Sequence, residues 1–236
     1  MSRRNNAASR CARCRMHSSL CVCPLIPRLD TRTRLVLVIH RAEDRKPTNT
    51  GRLAVEAMPN SEVIVRGRAE EPADSITLDG KTRPLFLFPH EDAVPLESVA
   101  TVAGDDRPVT LIVPDGNWRQ ASKVRNRVPG MRDVPCVSLP VGAPSIYRLR
   151  SEAHPFGLAT VEAIGRCLRV LEGDAGPEVE RALLHVFRAM VERTLWSRGD
   201  FETHDVTGGI PDGALRHDPR SGPQTGPRNG AGSGIE

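Results

Sequence analysis

The sequence predicts an α/β fold built on a mainly parallel sheet, and two observations carry that expectation. The short apolar runs Leu35–Ile39, Val63–Val65, Leu85–Phe88 and Val109–Val113 have the unbroken character of strands buried on both faces. They alternate with segments whose apolar residues recur at helical spacing, and such alternation favours a parallel sheet. Taken in order, Thr50–Met58 is the first helix expected. Trp118–Arg127 is the second, with Asn117 placed to cap it. Val161–Leu171 carries Val161, Ile164, Leu168 and Leu171 on one helical face. Glu178–Trp196 does the same with Val179, Leu183, Val186, Met190 and Leu195.

Charge and composition divide the 236 residues into three regions. Residues 1–28 hold six arginines (Arg3, Arg4, Arg10, Arg13, Arg15 and Arg28) and no acid. Residues 29–205 form the expected folded body. Residues 206–236 hold eight glycines and four prolines with few large apolar side chains, the composition of a disordered tail. That tail also accounts for part of the low hydrophobic content of 39%. The net charge of +4 is too small to imply nucleic acid by itself; the placement of the arginines is more telling. No apolar run reaches the roughly eighteen residues that a membrane span needs. No hydrophobic stretch follows the N-terminal arginines, so a secretory signal is not expected. A cytoplasmic location is the expectation, and six cysteines there are reduced thiols or metal ligands.

Four of those cysteines, Cys11, Cys14, Cys21 and Cys23, are spaced C-x2-C-x6-C-x-C. Four thiolates suit a closed tetrahedral zinc site with a structural part to play; an iron–sulfur cluster or free thiols are the alternatives. His17 lies within the loop as a spare ligand. Cys136 and Cys167 stand apart and read as small buried hydrophobes. Arginines around such a knuckle, Arg13 and Arg15 among them, suit contact with RNA phosphates, the alternative being a solvated basic terminus.

The strongest local feature follows the run Val109–Val113. There the chain reads Asp115-Gly116-Asn117-Trp118-Arg119-Gln120. A carboxylate at the carboxyl end of a buried parallel strand, on a glycine turn into a helix, sits where α/β sheets hold ligands. Asp115 is the candidate general base or polar anchor; capping of the next helix is the competing role. Arg119, Lys123, Arg125, Arg127 and Arg132 follow with no acid among them, which suits a phosphate track. Downstream come Leu139-Pro140, Ser145 to Arg150, and a helix start at Thr160 to Ala163. Tyr147, the one tyrosine of the chain, is either a stacking surface or core. Thr160 fits an N-cap, with Glu162 in the first turn.

In this order the motifs resemble the DTW-domain family of tRNA-uridine aminocarboxypropyltransferases. The resemblance rests on the cysteine knuckle, Ile39-His40 with Glu43, and Asn49-Thr50-Gly51-Arg52-Leu53. It continues through Leu87–Pro89, Asp115-Gly116-Asn117-Trp118, Ser145–Arg150 and Thr160–Ala163, and covers about residues 10–198. Asn117 stands where the family has threonine. The resemblance implies a SPOUT-like sheet with a C-terminal trefoil knot, preceded by the zinc knuckle. It implies S-adenosylmethionine as co-substrate, tRNA as partner and zinc as structural metal. The expected reaction moves the 3-amino-3-carboxypropyl group to N3 of a uridine and releases methylthioadenosine.

On that reading Asp115 is the base, and Trp118 packs against the adenosine or the target base unless it is core. Leu139, Pro140, Leu149 and the Ala159–Ala163 segment with Thr160, Glu162 and Ala163 form the wall of the donor pocket. Tyr147 adds a ring, and Arg148 or Arg150 holds the donor carboxylate. His40 is a polar contact or a satisfied structural residue. Two rivals remain: a methyltransferase of the same fold class, and a zinc-dependent RNA-binding protein without catalysis.

Overall fold

The computed structural model describes residues 9–67, 76–140, 142–149 and 157–216. Two short 3-10 turns, Ser18–Leu20 and Cys23–Leu25, carry the chain through the cysteine region. Strand β1 (Arg34–His40) leads into a one-turn helix α1 (Arg41–Asp44), then α2 (Gly51–Ala57) and β2 (Ser61–Arg66). Next come β3 (Arg83–Leu87), a two-residue β4 (Val94–Pro95), α3 (Leu96–Val99) and β5 (Val109–Asp115). Helices α4 (Trp118–Ala121) and α5 (Val124–Arg127), strand β6 (Cys136–Ser138), and helices α6 (Thr160–Leu171) and α7 (Gly176–Arg198) complete the body.

The six strands run in the order β2-β1-β5-β3-β6-β4, and every pairing is parallel. This is the mainly parallel α/β sheet that the apolar runs require. β1 and β5 are interior strands, each paired on both sides, and Leu35 to Ile39 and Val109 to Val113 are buried. Alternation along the strands sends their side chains to two faces. Leu35, Leu37, Ile39, Leu111 and Val113 join the larger core with α2, α6 and α7. Val36, Val38, Ile64, Phe86 and Ile112 join a smaller core with Val124 of α5 and Val128 just after it. The functional side chains follow the same parity. Asp115 projects on the first face, whereas His40 and Arg66 project on the second.

Two sequence expectations are corrected here. Trp118–Arg127 is not one helix but two single turns broken at Ser122 and Lys123. Order does not end at residue 206 either: Val206 is buried, Gly208 lies against Leu25, and Arg193 donates to the carbonyls of Gly208 and Gly209 at 3.1 and 2.9 Å. Residues 217–236, the rest of the expected tail, lie outside the described residues. The cysteine region is no separate unit. Met16, Leu20 and Val22 are buried in the larger core, and Arg193 of α7 donates to the carbonyl of Cys21. Among the described residues no helix is long and apolar enough to cross a membrane.

Candidate active site and metal centre

β1 and β5 place Ile39 beside Asp115 at the carboxyl edge of the sheet. Asp115 is only 8% exposed. Its Oδ2 accepts from Asn49 Nδ2 at 2.6 Å and its Oδ1 from Thr160 Oγ1 at 3.0 Å. Asn49 in turn accepts from the backbone N–H of Arg52 through Oδ1 at 3.0 Å, which fixes its amide so that Nδ2 faces the carboxylate. Gly51 opens α2 directly over this bond. A Cβ there would lie 2.5 Å from Asp115 Oδ2 and 2.9 Å from Leu37 Cδ1, so only glycine leaves the carboxylate its place. The residues Asn49 to Leu53 thus form a seat for Asp115, a role their spacing alone does not reveal.

Helix α6 supplies the other side. Thr160 is its first residue rather than its N-cap, the position falling to Ala159; the threonine hydroxyl is turned to Asp115 instead. Glu162 accepts from Ala159 N at 2.8 Å, Ser145 Oγ at 2.6 Å and Ile146 N at 2.8 Å. Its carboxylate is therefore spent on tying the 145–147 loop to the helix, which corrects the expectation of a direct donor contact. Tyr147 is likewise reassigned: it is buried, its ring packs on Phe187 at 5.6 Å, and its hydroxyl donates to the Thr48 carbonyl at 2.8 Å. Arg166 donates to the carbonyls of Pro140 and Ala143 at 3.4 and 2.6 Å, fastening the first part of the same loop. Leu139, Ile146, Leu149 and Ala163 are half-buried against the larger core. Arg148 is exposed, and Arg150 lies outside the described residues.

The corner after Asp115 turns the chain to the second face. Asn117 caps α4 as expected: its side chain accepts from Gln120 N, and Gln120 Oε1 accepts from Asn117 N, both at 2.9 Å. Asparagine therefore performs the cap that the signature threonine would make. Gly116 packs on Gln120, where a Cβ would lie 2.7 Å from Oε1. Gln120 Nε2 reaches His40 Nδ1 at 3.1 Å, and the same nitrogen accepts from Ala42 N at 3.2 Å. Burial and the neighbouring Arg66 and Arg41 hold the His40 pKa below its usual value, so the ring is a neutral acceptor that caps α1. Trp118 is not core. It is 55% exposed and leans on Phe88 at 6.0 Å, a shelf beside Arg119 and Lys123.

The basic residues divide. Arg119 and Arg127 are exposed and Lys123 is half-buried. Arg125 is paired with Asp92 at 2.7 Å, and this holds the Asp92 carboxyl below its usual range. Arg13 pairs with Glu56 at 2.8 Å and Arg15 with Asp44 at 3.3 Å. The expectation that Arg13 and Arg15 serve RNA is corrected: they clamp the knuckle to α2 and α1. Asp44 Oδ1 also accepts from Arg52 Nη2 at 2.6 Å, so polar contacts run from the knuckle through Arg15, Asp44, Arg52 and Asn49 to Asp115.

In the knuckle, Cys11 Sγ and Cys23 Sγ lie 3.4 Å apart and Cys14 Sγ and Cys21 Sγ 3.7 Å, with all four within 4.8 Å of one another. A tetrahedral site with Zn–S bonds of about 2.3 Å has sulfur–sulfur edges of about 3.8 Å, so the four thiols fit zinc. The backbone N–H groups of Cys14 and Arg13 draw the Cys11 thiol down to about 6, toward the thiolate a metal binds. Arg15 turns through φ 61° to bring the two halves together. His17 is not needed: its Nδ1 bonds Ser19 Oγ at 2.7 Å. Cys136 and Cys167 are buried, and burial pushes both thiols up.

The DTW-domain sequence model matches residues 8–195. The chain belongs to the DTW-domain family. Among curated relatives it is similar to tRNA-uridine aminocarboxypropyltransferase 2 of Drosophila melanogaster, 28% identical over 197 residues, 80% of this chain and 76% of that one. It is similar to tRNA-uridine aminocarboxypropyltransferase A of Arabidopsis thaliana, 28% identical over 77% of this chain and 79% of that one. Among solved structures, the SAM-dependent rRNA:acp-transferase Tsr3 from Vulcanisaeta distributa is 18% identical, covering 75% of this chain and 85% of its own, at a TM-score of 0.42. The match spans the Asp115–Trp118 corner.

Proposed function

We propose that this protein transfers the 3-amino-3-carboxypropyl group of S-adenosylmethionine to N3 of a uridine in tRNA. The observation that carries this reading is the seating of Asp115, a buried carboxylate at the carboxyl edge of a parallel sheet held on both oxygens. Family membership and the names of the relatives support the choice of donor and acceptor. The donor supplies a sulfonium, whose departure as neutral methylthioadenosine makes the methylene carbon electrophilic.

The residues of this chain divide the remaining work by face. On the first face, Leu139, Pro140, Ile146, Leu149 and Ala163 offer an apolar wall suited to a cation that loses its charge in the transition state; tight binding of that charge would slow the reaction. Glu162, Tyr147 and Arg166 hold the wall in place. Arg148, exposed on the same loop, is suited to the donor carboxylate. Asp115 takes the N3 proton as nitrogen forms its bond to the methylene carbon and the C–S pair withdraws to sulfur. Asn49 and Thr160 fix the carboxylate for that proton, since positioning supplies much of such a rate. On the second face, Trp118 on Phe88 gives the nucleic acid a stacking shelf, and Arg119, Lys123 and Arg127 face its phosphates. Zinc bound by Cys11, Cys14, Cys21 and Cys23 would hold the knuckle against α1 and α2.

The same proposal includes a SPOUT-related chain path with a C-terminal knot, and a reducing cytoplasmic setting for the thiols. Asp115→Ala tests the assignment. With tRNA and donor saturating, nucleoside mass spectrometry should show transfer reduced by about 10²-fold or more, the usual size of a general-base contribution. Unchanged transfer would remove Asp115 from the chemistry.

A further inference from the structure

Arg66 ends β2, in register with His40, and was not marked by any motif. It lies on the second face and is only 7% exposed. One nitrogen, Nη2, donates to the carbonyl of Gln120. Its Nε is buried and has no hydrogen-bond partner. Among the described residues no carboxylate is paired with it. The charge that acts on it is another cation, Arg127 of α5, which together with burial lowers its pKa. His40 beside it is held neutral.

Arg193 shows how the same fold treats a buried arginine with a structural task. It donates to three carbonyls, those of Cys21, Gly208 and Gly209. Arg66 has one. A guanidinium cannot escape by losing its proton, and a buried charge left short of partners is destabilising. A buried guanidinium with an unpartnered Nε, one carbonyl and no acid paired with it among the described residues is therefore arranged for an anion that comes from outside. A planar five-donor fork matches phosphate best. The surroundings agree: the exposed Trp118 shelf and Arg119 lie on the same α4–α5 side. The donor's carboxylate belongs with Asp115 on the opposite face.

We infer that Arg66 forms a phosphate site for the acceptor RNA behind α4, next to the Asp115–Trp118 corner. This rests on the RNA-modifying reading above and adds a register device to it. A backbone phosphate held under α4 sets how far the chain can reach over the corner, and so which base arrives at Asp115. Through the Gln120 carbonyl, anion binding at Arg66 also bears on the helix that carries Trp118.

The test is salt-dependent binding of an unmodified tRNA transcript to the full chain, for wild type, Arg66→Gln and Arg66→Lys. Each lost phosphate contact should lower the slope of log affinity against log salt by about 0.7 to 0.9. Affinity should fall about tenfold for Arg66→Gln. Arg66→Lys should keep the slope but recover only part of the affinity, because lysine lacks the fork. KM for S-adenosylmethionine should stay at the wild-type value in both. An unchanged slope in folded Arg66→Gln, or wild-type affinity in Arg66→Lys, overturns the inference. If Arg66→Gln does not fold, Arg66→Lys decides, since it keeps the charge and most of the volume: reduced affinity at an unchanged slope supports the site, and wild-type affinity overturns it. Transfer by the wild type to RNA is measured in parallel. Transfer with an unchanged Arg66→Gln slope refutes the phosphate site alone, whereas a wild type that neither binds nor modifies RNA refutes the reading on which it stands.

Discussion

Gly51→Ala adds a single methyl group where the structure has least room. The new carbon would lie 2.5 Å from Asp115 Oδ2 and 2.9 Å from Leu37 Cδ1. Contacts that short cannot stand. Leu37 is fully buried in the central strand, so the carboxylate, not the strand, must move. Its displacement strains or breaks the 2.6 Å bond from Asn49 and the 3.0 Å bond from Thr160. Two opposing terms set the stability change. Alanine gains up to about 1 kcal/mol of helix propensity over glycine in a helix interior, and less at this first residue of α2. Overpacking costs about 1–3 kcal/mol. The net loss should thus lie between about 0 and 3 kcal/mol, readable in urea unfolding. Transfer should suffer far more, because a displacement near 1 Å at a catalytic group costs on the order of 10²-fold. The assay is kcat for aminocarboxypropyl transfer, measured beside the urea midpoint. A folded Gly51→Ala protein with wild-type kcat would refute the seating of Asp115 by the Asn49–Gly51 segment.

Three further outcomes follow from the geometry. Trp118→Ala should leave stability within about 0.5 kcal/mol, because the ring is exposed, yet weaken RNA binding by about 1–3 kcal/mol; equal affinity by fluorescence anisotropy would dismiss the shelf. His40 has a lowered folded pKa, from burial first and then Arg66 and Arg41, with Glu43 opposing. The unfolded chain therefore takes the proton first, and stability present above about pH 6.5 should be lost as pH falls below it. His40→Gln should flatten that loss in urea titrations between about pH 7 and 5; an unaltered profile would contradict the neutral cap. Purified wild type should carry one zinc per chain by elemental analysis. Cys14→Ser should lose it together with thermal stability, whereas a zinc-free wild type of equal stability would contradict the metal site.

How much could be read from the chain alone depended on the range of the interaction. Four strands were legible because each carries a short apolar run, even the edge strand β2, whose Val63 and Val65 are only half-buried. β4 and β6, of two and three residues, are too short to carry a pattern. The capping of α4 by Asn117 is local and was readable. The break at Ser122–Lys123 was not, since the apolar spacing runs through it. Arg13 and Arg15 looked free for RNA because their partners, Glu56 and Asp44, are distant in sequence. Tyr147 could not be told from a stacking ring until Phe187 and Thr48 closed on it. Glu162 was visible as a first-turn acid, but not the loop it holds. Arg66 carried no signal at all: a strand-end arginine becomes notable only through burial without a partner, which is a tertiary property.

The central claim is that this corner directs transfer of the carboxypropyl chain rather than the methyl group. S-adenosylmethionine labelled separately in its methyl and in its aminobutyrate carbons decides it, with tRNA as acceptor and nucleoside mass spectrometry as readout. The expected result is aminobutyrate label on uridine, methyl label only in released methylthioadenosine, and both reduced by about 10²-fold or more with Asp115→Ala. Methyl label on the nucleoside, or no label on RNA at all, would contradict it.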